Sequence, residues 1–234
     1  MTEREFLERY TPGDFDRPSV TVDTVVMSIL DGRLSLLLTE RTEHPFLDRF
    51  ALPGGFVKMA ETLERAAQRV MREKAKIKGV AVSQLRAFSG IDRDPRMRVI
   101  TVPFLALTPR EKLHEAVART EGLSLWLLPP GGTHLDFGDR PKLAFDHEDI
   151  IEEAVLYLRR HLNHSDVAFR FLPEQFTLRE LQIVHEAILG RSLNKPAFRK
   201  RLLDSGLLEA TGELQIGGAF RPAVLYRYRD NAQD

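Results

Sequence analysis

The stretch that decides the fold of the first part of this chain is Leu52-Pro-Gly-Gly-Phe-Val-Lys-Met-Ala-Glu61, together with the residues that follow it to position 77. Its paired glycines, Gly54 and Gly55, favour a tight turn in which the backbone can approach a ligand closely. Apolar residues then recur at helical spacing, which predicts an amphipathic helix over residues 63–76. A glycine turn that opens onto a helix is typical of a phosphate-binding site.

The same stretch resembles the Nudix box, whose pattern is Gly, five residues, Glu, seven residues, Arg-Glu, an aliphatic, any residue, Glu-Glu, any residue, Gly and an aliphatic. Counted from Gly55, the matching positions are Glu61, Arg69, Met71, Glu73 and Ile77, and the departures are Val70, Lys74 and Lys76. In a Nudix hydrolase, carboxylates at positions 70, 73 and 74 converge on one helix face and hold Mg²⁺ against a diphosphate. A valine and an ammonium group remove most of that charge, so we expect weak metal binding and little hydrolysis. No residue is assigned to catalysis or to a metal ion.

Length and composition bound the class of protein. The chain has 234 residues, of which 43% are hydrophobic, enough for two modest packed domains. Its formal net charge is zero, so any nucleic-acid surface must be local. Cysteine is absent, which excludes disulfides and thiolate metal sites, and the histidines show no metal-binding spacing. No apolar run reaches the length of a membrane span, and the charged start lacks a signal core, so we expect a cytoplasmic protein.

The first two thirds of the chain alternate predicted strands with helices. A β-branched run from Ser19 to Leu30 and a partner run at 34–39 predict a hairpin around Asp31-Gly32. Further strands are predicted at 80–88, 99–107 and 123–128, and a helix with one apolar stripe is predicted at 147–162. These elements indicate an α+β domain, an α/β/α sandwich over residues 1–163, with a linker at 164–175.

The C-terminal part, residues 176–234, is organised separately. Thr177 and Glu180 form the pattern of a capping box at the start of one helix, and Asn194-Lys195-Pro196 begins a second. Two strands around a glycine-rich tip follow, so this part predicts a winged helix-turn-helix domain.

Charge in this part points to a partner. Residues 176–229 hold nine Lys or Arg against five Asp or Glu, and the excess lies on the second helix and the wing. Those elements enter the major groove and contact phosphates, so we expect a double-stranded DNA operator as the partner. A solvated helix face and a protein partner are the alternatives. The residues predicted to bind DNA are Thr177, Asn194, Lys195, Arg199, Lys200, Arg201 and Arg221.

Both halves together resemble the Nudix-related transcriptional regulators of the NrtR type. The resemblance spans nearly the whole chain and rests on Arg17-Pro-Ser-Val-Thr-Val-Asp23, His44-Pro-Phe46, Ala51-Leu-Pro-Gly-Gly-Phe56, Asp92-Arg-Asp-Pro-Arg96 with Arg98-Val-Ile100, Phe176-Thr-Leu-Arg-Glu-Leu-Gln182 and Arg221-Pro-Ala-Val-Leu-Tyr226. It implies a homodimeric repressor of NAD-metabolism genes that senses ADP-ribose or a related nucleotide and then releases DNA. Other branches of the family sense sugars. An active hydrolase of ADP-ribose or of another nucleoside diphosphate derivative is a further alternative.

The resemblance also implies roles for residues near the box. Gly54 and Gly55 would approach the pyrophosphate, and Arg41 and Arg69 would neutralise it. Phe46 or Phe50 would stack on adenine, and Lys74 would replace the metal ion by pairing with phosphate directly. Glu73 is either a ligand contact or an ion-pair partner of Arg69. The charged loop 92–98 is either an ordinary solvated turn or a contact to the ligand or to a second subunit. The predicted ligand-binding set is Arg41, Phe46, Phe50, Gly54, Gly55, Arg69, Glu73, Lys74, Arg93 and Arg98. No cofactor is expected to be required, Mg²⁺ included.

Overall fold

The computed structural model describes residues 1–136, 138, 143–215 and 222–229. Its helices are α1 (Glu3–Arg9), α2 (Leu63–Glu73), α3 (Arg110–Ala118), α4 (His147–His161), α5 (Leu178–Leu189) and α6 (Lys195–Asp204), with 3-10 helices at Pro12–Asp14 and Asp166–Phe171. Its strands are β1 (Ser19–Leu30), β2 (Arg33–Glu40), β3 (Phe50–Ala51), β4 (Gly54–Phe56), β5 (Val82–Gln84), β6 (Val99–Thr101), β7 (Phe104–Leu107), β8 (Leu123–Leu127), β9 (Phe176–Thr177), β10 (Leu208–Gln215) and β11 (Ala223–Tyr228).

The long strand β1 organises the first sheet, whose main order is β3-β2-β1-β7-β5. Its first half pairs antiparallel with β4 and parallel with β6, and its second half pairs with β2 and β7. Because side chains alternate along a strand, Val26 packs with Met71 and Leu113 on one face of the sheet, whereas Met27 packs with Ile151 on the other. Helices α2 and α3 therefore cover one face and α4 covers the other, which confirms the α/β/α sandwich.

Several predicted elements differ from the structure in extent. Helix α2 ends at Glu73, because Lys74 is its C-cap and Lys76 has a φ of +59°. The strand predicted at 99–107 is divided into β6 and β7 around Val102-Pro103, and the strand predicted at 80–88 is reduced to β5. Helix α3 was not predicted, since it buries only Leu113 and Ala116.

The winged helix is confirmed in the C-terminal part. Helices α5 and α6 are followed by a three-stranded sheet in the order β10-β11-β9. Gly190 ends α5 in the left-handed conformation, with a φ of +69°. The turn to α6 is fixed by Glu186, whose carboxylate accepts hydrogen bonds from the Leu193 backbone N–H at 2.7 Å and the Gln182 amide at 2.9 Å.

The two domains share one hydrophobic core. The segment predicted as a linker contains the 3-10 helix Asp166–Phe171, whose buried Val167 and Phe171 join Leu34 of the first domain and Leu181 of the second in a single cluster. Arg159 of α4 donates hydrogen bonds to Ile188 O at 3.1 Å and to Gly131 O at 3.0 Å. Helix α4 therefore links the end of α5 to the first domain.

Candidate functional site

A cavity of about 240 Å³ opens beside the glycine turn. Its wall is formed by β1, β4, the loop after β2, the charged loop 92–98, the end of α2 and the start of α4. The lining residues are Thr21, Asp23, Thr39, Arg41, Glu43, His44, Ala51, Leu52, Gly54, Gly55, Phe56, Lys74, Arg93, Asp94, Arg96, Val99, Phe145 and His147. The structure thus brings together Arg41, Gly54, Gly55, Lys74 and Arg93 from the set predicted by sequence.

The glycine turn lies directly against β1, where Gly54 pairs with Asp23 and Gly55 with Val22. A Cβ atom on Gly54 would lie 2.0 Å from Asp23 Oδ1, so only glycine fits there while Asp23 keeps its position. Gly55 faces Val70, and a Cβ atom there would lie 3.4 Å from Val70 Cγ2. The Gly54 position therefore leaves room for a buried carboxylate beside the backbone of the turn.

Arg69 holds the turn together and does not line the cavity. Its guanidinium donates to Glu61 through Nε at 2.9 Å and Nη2 at 2.6 Å, and Nη2 also donates to Phe56 O at 2.8 Å. The Arg69 hydrogen bonds and the Lys58 backbone N–H lower the pKa of Glu61 to about 2. Arg69 lies 3.6 Å from Glu73, whose half-exposed carboxylate also contacts Arg72. The structure favours the ion-pair role for Arg69 and Glu73 over ligand contact.

Two cations face the cavity near the turn. Arg41 is positioned by hydrogen bonds to Pro45 O at 2.7 Å and Glu43 O at 3.1 Å. Lys74 follows the last turn of α2, and among the described residues its ammonium group has no hydrogen-bond or ion-pair partner. Desolvation lowers the pKa of Lys74, and the charge of Asp23 opposes that shift. The Lys74 ammonium is therefore available to an anionic ligand.

The residues present do not fit the Mg²⁺ site of a Nudix hydrolase. Val70, at the position of one metal-binding glutamate, is fully buried in an apolar cluster with Val22, Ala67 and Phe104. Lys74 places a cation where a second glutamate would stand. In the described parts of the chain, no group of three or more His, Asp or Glu side chains could hold a metal ion.

A buried polar network forms the floor of the cavity. Asp23 Oδ2 accepts a hydrogen bond from the Thr101 hydroxyl at 2.7 Å and lies 3.7 Å from Arg93 Nη2. Arg93 also binds both carboxylate oxygens of Asp146, at 2.8 and 2.6 Å. His147 Nδ1 accepts from the Leu52 backbone N–H at 2.9 Å, and burial lowers the pKa of His147.

Asp23 and His147 line the cavity but were not predicted as site residues. The sequence did contain a clue to Asp23, because a carboxylate is unusual within a β-branched run, where a packed core is expected. His147 gave no signal, because it is brought to the cavity by a contact with the distant Leu52.

The aromatic residues of the site differ from those predicted. Phe50 is only 7% exposed and packs edge to face on Trp126, with ring centroids 4.9 Å apart, so it cannot offer a free face to adenine. Phe46 does not line the cavity but packs edge to face on Phe145 at 4.8 Å. Phe145 and Phe56 line the cavity instead.

Arg98 also lies outside the cavity lining. Its Nη1 donates to Ser89 O at 2.9 Å and Gly90 O at 2.8 Å, so it ties the loop before β6 to the preceding loop.

A basic surface lies on α6 in the winged helix. Lys195, Arg199, Lys200 and Arg201 are exposed, whereas Phe198 and Leu202 are buried. Asn194 is exposed at the N-cap, where its side chain accepts from Ala197 N at 3.0 Å. This arrangement is suited to a recognition helix in the major groove.

The remaining predicted DNA contacts have different outcomes. The structure corrects the prediction for Thr177: the residue is 4% exposed, its hydroxyl donates to Glu180 Oε2 at 2.9 Å, and it caps α5 from the inside. Arg221 lies outside the described residues.

The fold and the site define a Nudix domain joined to a DNA-binding winged helix. The NUDIX domain family model matches residues 20–141, and the model of the NrtR DNA-binding winged helix domain matches residues 168–228. Over 229 residues, the chain is 35% identical to the ADPR responsive transcriptional repressor NtrR of Acinetobacter baylyi, covering 97% of this chain and 88% of that protein. The chain belongs to the NrtR family of transcriptional regulators.

Solved structures of the family agree with this assignment. Shewanella oneidensis NrtR, crystallised with a 27mer DNA, is 34% identical, with a TM-score of 0.78 over 90% of this chain and 93% of that chain. The Nudix domain of the same protein, crystallised with ADP ribose, is 32% identical, with a TM-score of 0.53 over 68% of this chain and 99% of that chain. In the described residues, no helix has the length and apolar character needed to cross a membrane.

Proposed function

We propose that this protein is a repressor of NAD-metabolism genes that binds ADP-ribose or a related nucleotide in the cavity of its Nudix domain and releases its operator in response. The proposal rests on the combination, in one chain, of a basic exposed helix α6 with a cavity that presents glycine backbone and the Lys74 ammonium group, which has no partner among the described residues. The ADP ribose complex of the Shewanella oneidensis Nudix domain and the DNA complex of Shewanella oneidensis NrtR support it.

The ligand is bound without a metal ion in this proposal. The Gly54-Gly55 backbone approaches the diphosphate, and Lys74 and Arg41 pair with its charge directly. An ammonium group in place of a carboxylate lets the cavity bind a diphosphate without activating its hydrolysis. Lys74 is the residue that carries this part of the proposal.

Calorimetry with ADP-ribose tests the metal independence. We expect equal affinity with Mg²⁺ and with EDTA, and we expect Lys74→Glu to weaken binding by about 10- to 100-fold, because it replaces an attractive charge by a repulsive one. Lys78→Glu makes the same charge change at an exposed residue outside the cavity lining and should leave the affinity within about twofold. A strict requirement for Mg²⁺ in the unmodified protein would refute metal-free binding.

The DNA-binding surface is tested by a gel-shift assay. Arg199→Ala combined with Lys200→Ala should abolish specific operator binding, since both side chains are exposed on α6. Lys112→Ala in α3 combined with Arg119→Ala at its C-cap removes the same charge and should leave operator binding unchanged. If the α6 variant binds the operator as tightly as the unmodified protein, α6 is not the DNA-binding surface.

We further propose a homodimer, because winged-helix and helix-turn-helix regulators commonly read two half-sites related by a two-fold axis. Sedimentation of the protein alone and with operator DNA tests this, and one protomer per operator would contradict it.

The salt dependence of binding distinguishes DNA from a protein partner of the winged helix. Phosphate contacts make the affinity fall steeply as salt is raised, whereas binding to a protein through an apolar interface should be insensitive to salt.

Hydrolysis of ADP-ribose is the second candidate function, favoured by Glu61 and Glu73, which keep their positions in the box. Incubation with ADP-ribose and Mg²⁺ distinguishes the two. Release of AMP and ribose 5-phosphate over many turnovers would establish an enzyme, and unchanged ADP-ribose would support a sensor.

A further inference from the structure

Two polar atoms face each other on the floor of the cavity without being bonded to each other. Asp23 Oδ1 and His147 Nε2 are 3.6 Å apart, and both residues line the cavity. Among the described residues, Asp23 Oδ1 has no hydrogen-bond partner, since the Thr101 hydroxyl binds the other oxygen. The floor therefore offers an acceptor from Asp23 beside a nitrogen of His147.

The bond from Leu52 fixes which nitrogen of His147 carries the proton. The Leu52 backbone N–H donates to Nδ1 at 2.9 Å, so Nδ1 must be unprotonated and Nε2 must carry the hydrogen of the neutral ring. His147 is 3% exposed, and burial keeps it neutral by lowering its pKa. His147 Nε2 is therefore a fixed donor.

Asp23 is held equally firmly as an acceptor. The Thr101 hydroxyl at 2.7 Å and the Arg93 guanidinium at 3.7 Å both lie beside Oδ2, whereas Oδ1 lies against the glycine turn at the cavity that Asp23 lines. Arg93 is itself fixed by Asp146. A rigid acceptor beside a rigid donor defines a pattern that a ligand must match with a donor beside an acceptor.

The spacing favours two parallel hydrogen bonds over one bridging hydroxyl. A tetrahedral oxygen that bonds two groups at ordinary length holds them about 4.5 Å apart, which is wider than the separation seen here. An adenine edge presents an amino donor beside a ring-nitrogen acceptor, the complementary pattern. The Phe145 ring lies 5.3 Å from the His147 ring, so an apolar surface adjoins the pair.

We propose that Asp23 and His147 read the adenine edge of the bound nucleotide, with Asp23 Oδ1 accepting from the 6-amino group and His147 Nε2 donating to a ring nitrogen. This inference rests on the proposed binding of ADP-ribose and adds selectivity for the base. Hypoxanthine carries a carbonyl oxygen in place of the amino group, so its oxygen would face the Asp23 carboxylate. The cavity then rejects an inosine nucleotide that has the same sugar and diphosphate.

The unmodified protein supplies the first test. Calorimetry should show ADP-ribose binding about 10- to 100-fold more tightly than IDP-ribose, the same molecule with hypoxanthine in place of adenine. Equal affinities would overturn the inference while leaving ADP-ribose sensing intact. Absence of ADP-ribose binding would remove the proposed function and this inference with it.

Asp23→Asn supplies the second test, because the amide can donate to the hypoxanthine carbonyl as well as accept. The ratio of the two affinities should fall at least tenfold, to near one or in favour of IDP-ribose. Glu43→Gln removes the same charge from the rim of the cavity and should shift both affinities by one common factor, with the ratio unchanged. If Asp23→Asn weakens both ligands equally, Asp23 contacts the sugar or the phosphates and the adenine assignment fails.

Discussion

Replacement of Gly54 by alanine perturbs the contact between the glycine turn and the buried carboxylate of β1. The new Cβ atom would lie 2.0 Å from Asp23 Oδ1 and 3.1 Å from Val22 O, so Asp23 must leave its position. Its carboxylate then loses the Thr101 hydroxyl, now at 2.7 Å, and moves away from Arg93, now at 3.7 Å. The substitution therefore breaks a buried polar network in addition to adding a methyl group.

The lost contacts set the expected size of the effect. One hydrogen bond to a charged group contributes about 1.5–3 kcal/mol, so the free energy of unfolding should fall by about 2–3 kcal/mol in Gly54→Ala. The adjacent glycine is a matched control, because a Cβ atom on Gly55 would lie 3.4 Å from Val70 Cγ2 and needs only a small adjustment. Gly55→Ala should therefore cost less than about 1 kcal/mol.

Urea denaturation followed by fluorescence measures both variants, since Trp126 is the only tryptophan, is partly buried and packs on the core residue Phe50. Adding Asp23→Ala to Gly54→Ala removes the obstructing carboxylate, so the double variant should be more stable than the sum of the single effects predicts. Equal stability of the Gly54→Ala and Gly55→Ala variants would refute the argument that Asp23 requires the glycine.

Two further predictions concern stability. The pKa of Glu61 is lowered from 4.5 to about 2, so its pairing with Arg69 stabilises the fold fully above pH 4.5, and that contribution is lost as the pH falls towards 2. The difference in unfolding free energy between the wild type and Glu61→Gln should therefore shrink as the pH falls over that interval. A difference that stays constant would contradict the assigned pKa shift. Gly190→Ala should lower the unfolding free energy by about 3 kcal/mol or more, because φ is +69° and the Cβ atom would lie 2.1 Å from Gly131 Cα. The control Gly206→Ala has a φ of +71° with no atom within 4 Å, and its cost in thermal or urea unfolding should be limited to about 1 kcal/mol; equal losses in the two would contradict the packing argument.

Local pattern was enough to predict the main architecture. The helical stripe after the glycine turn, the β-branched run of β1 and the capping box of α5 each depend on neighbours within a few residues, and each is present in the structure. Helix α3 was missed because its apolar stripe is short and its burial comes from packing against the sheet.

The site was predictable only in part, because its decisive contacts join distant residues. Arg69 had two glutamates within reach, and its stronger bond to Glu61 depends on how the turn folds back over α2. Asp23 and His147 meet through the packing of α4 against β1. The segment 164–175 was predicted as a linker because Pro173 precedes a new helical pattern, yet Val167 and Phe171 complete a core supplied by both domains.

Helix α4 has His147 at the cavity and Arg159 at the end of α5, about 18 Å apart at the usual rise per residue. Coupling between the two sites is reciprocal. If DNA binding changes the affinity for the ligand by some factor, ligand binding changes the affinity for DNA by the same factor. A ligand that releases the operator must therefore bind the operator-bound protein more weakly than the free protein. The ligand concentration that relieves repression is accordingly set by the strength of the operator as well as by the cavity.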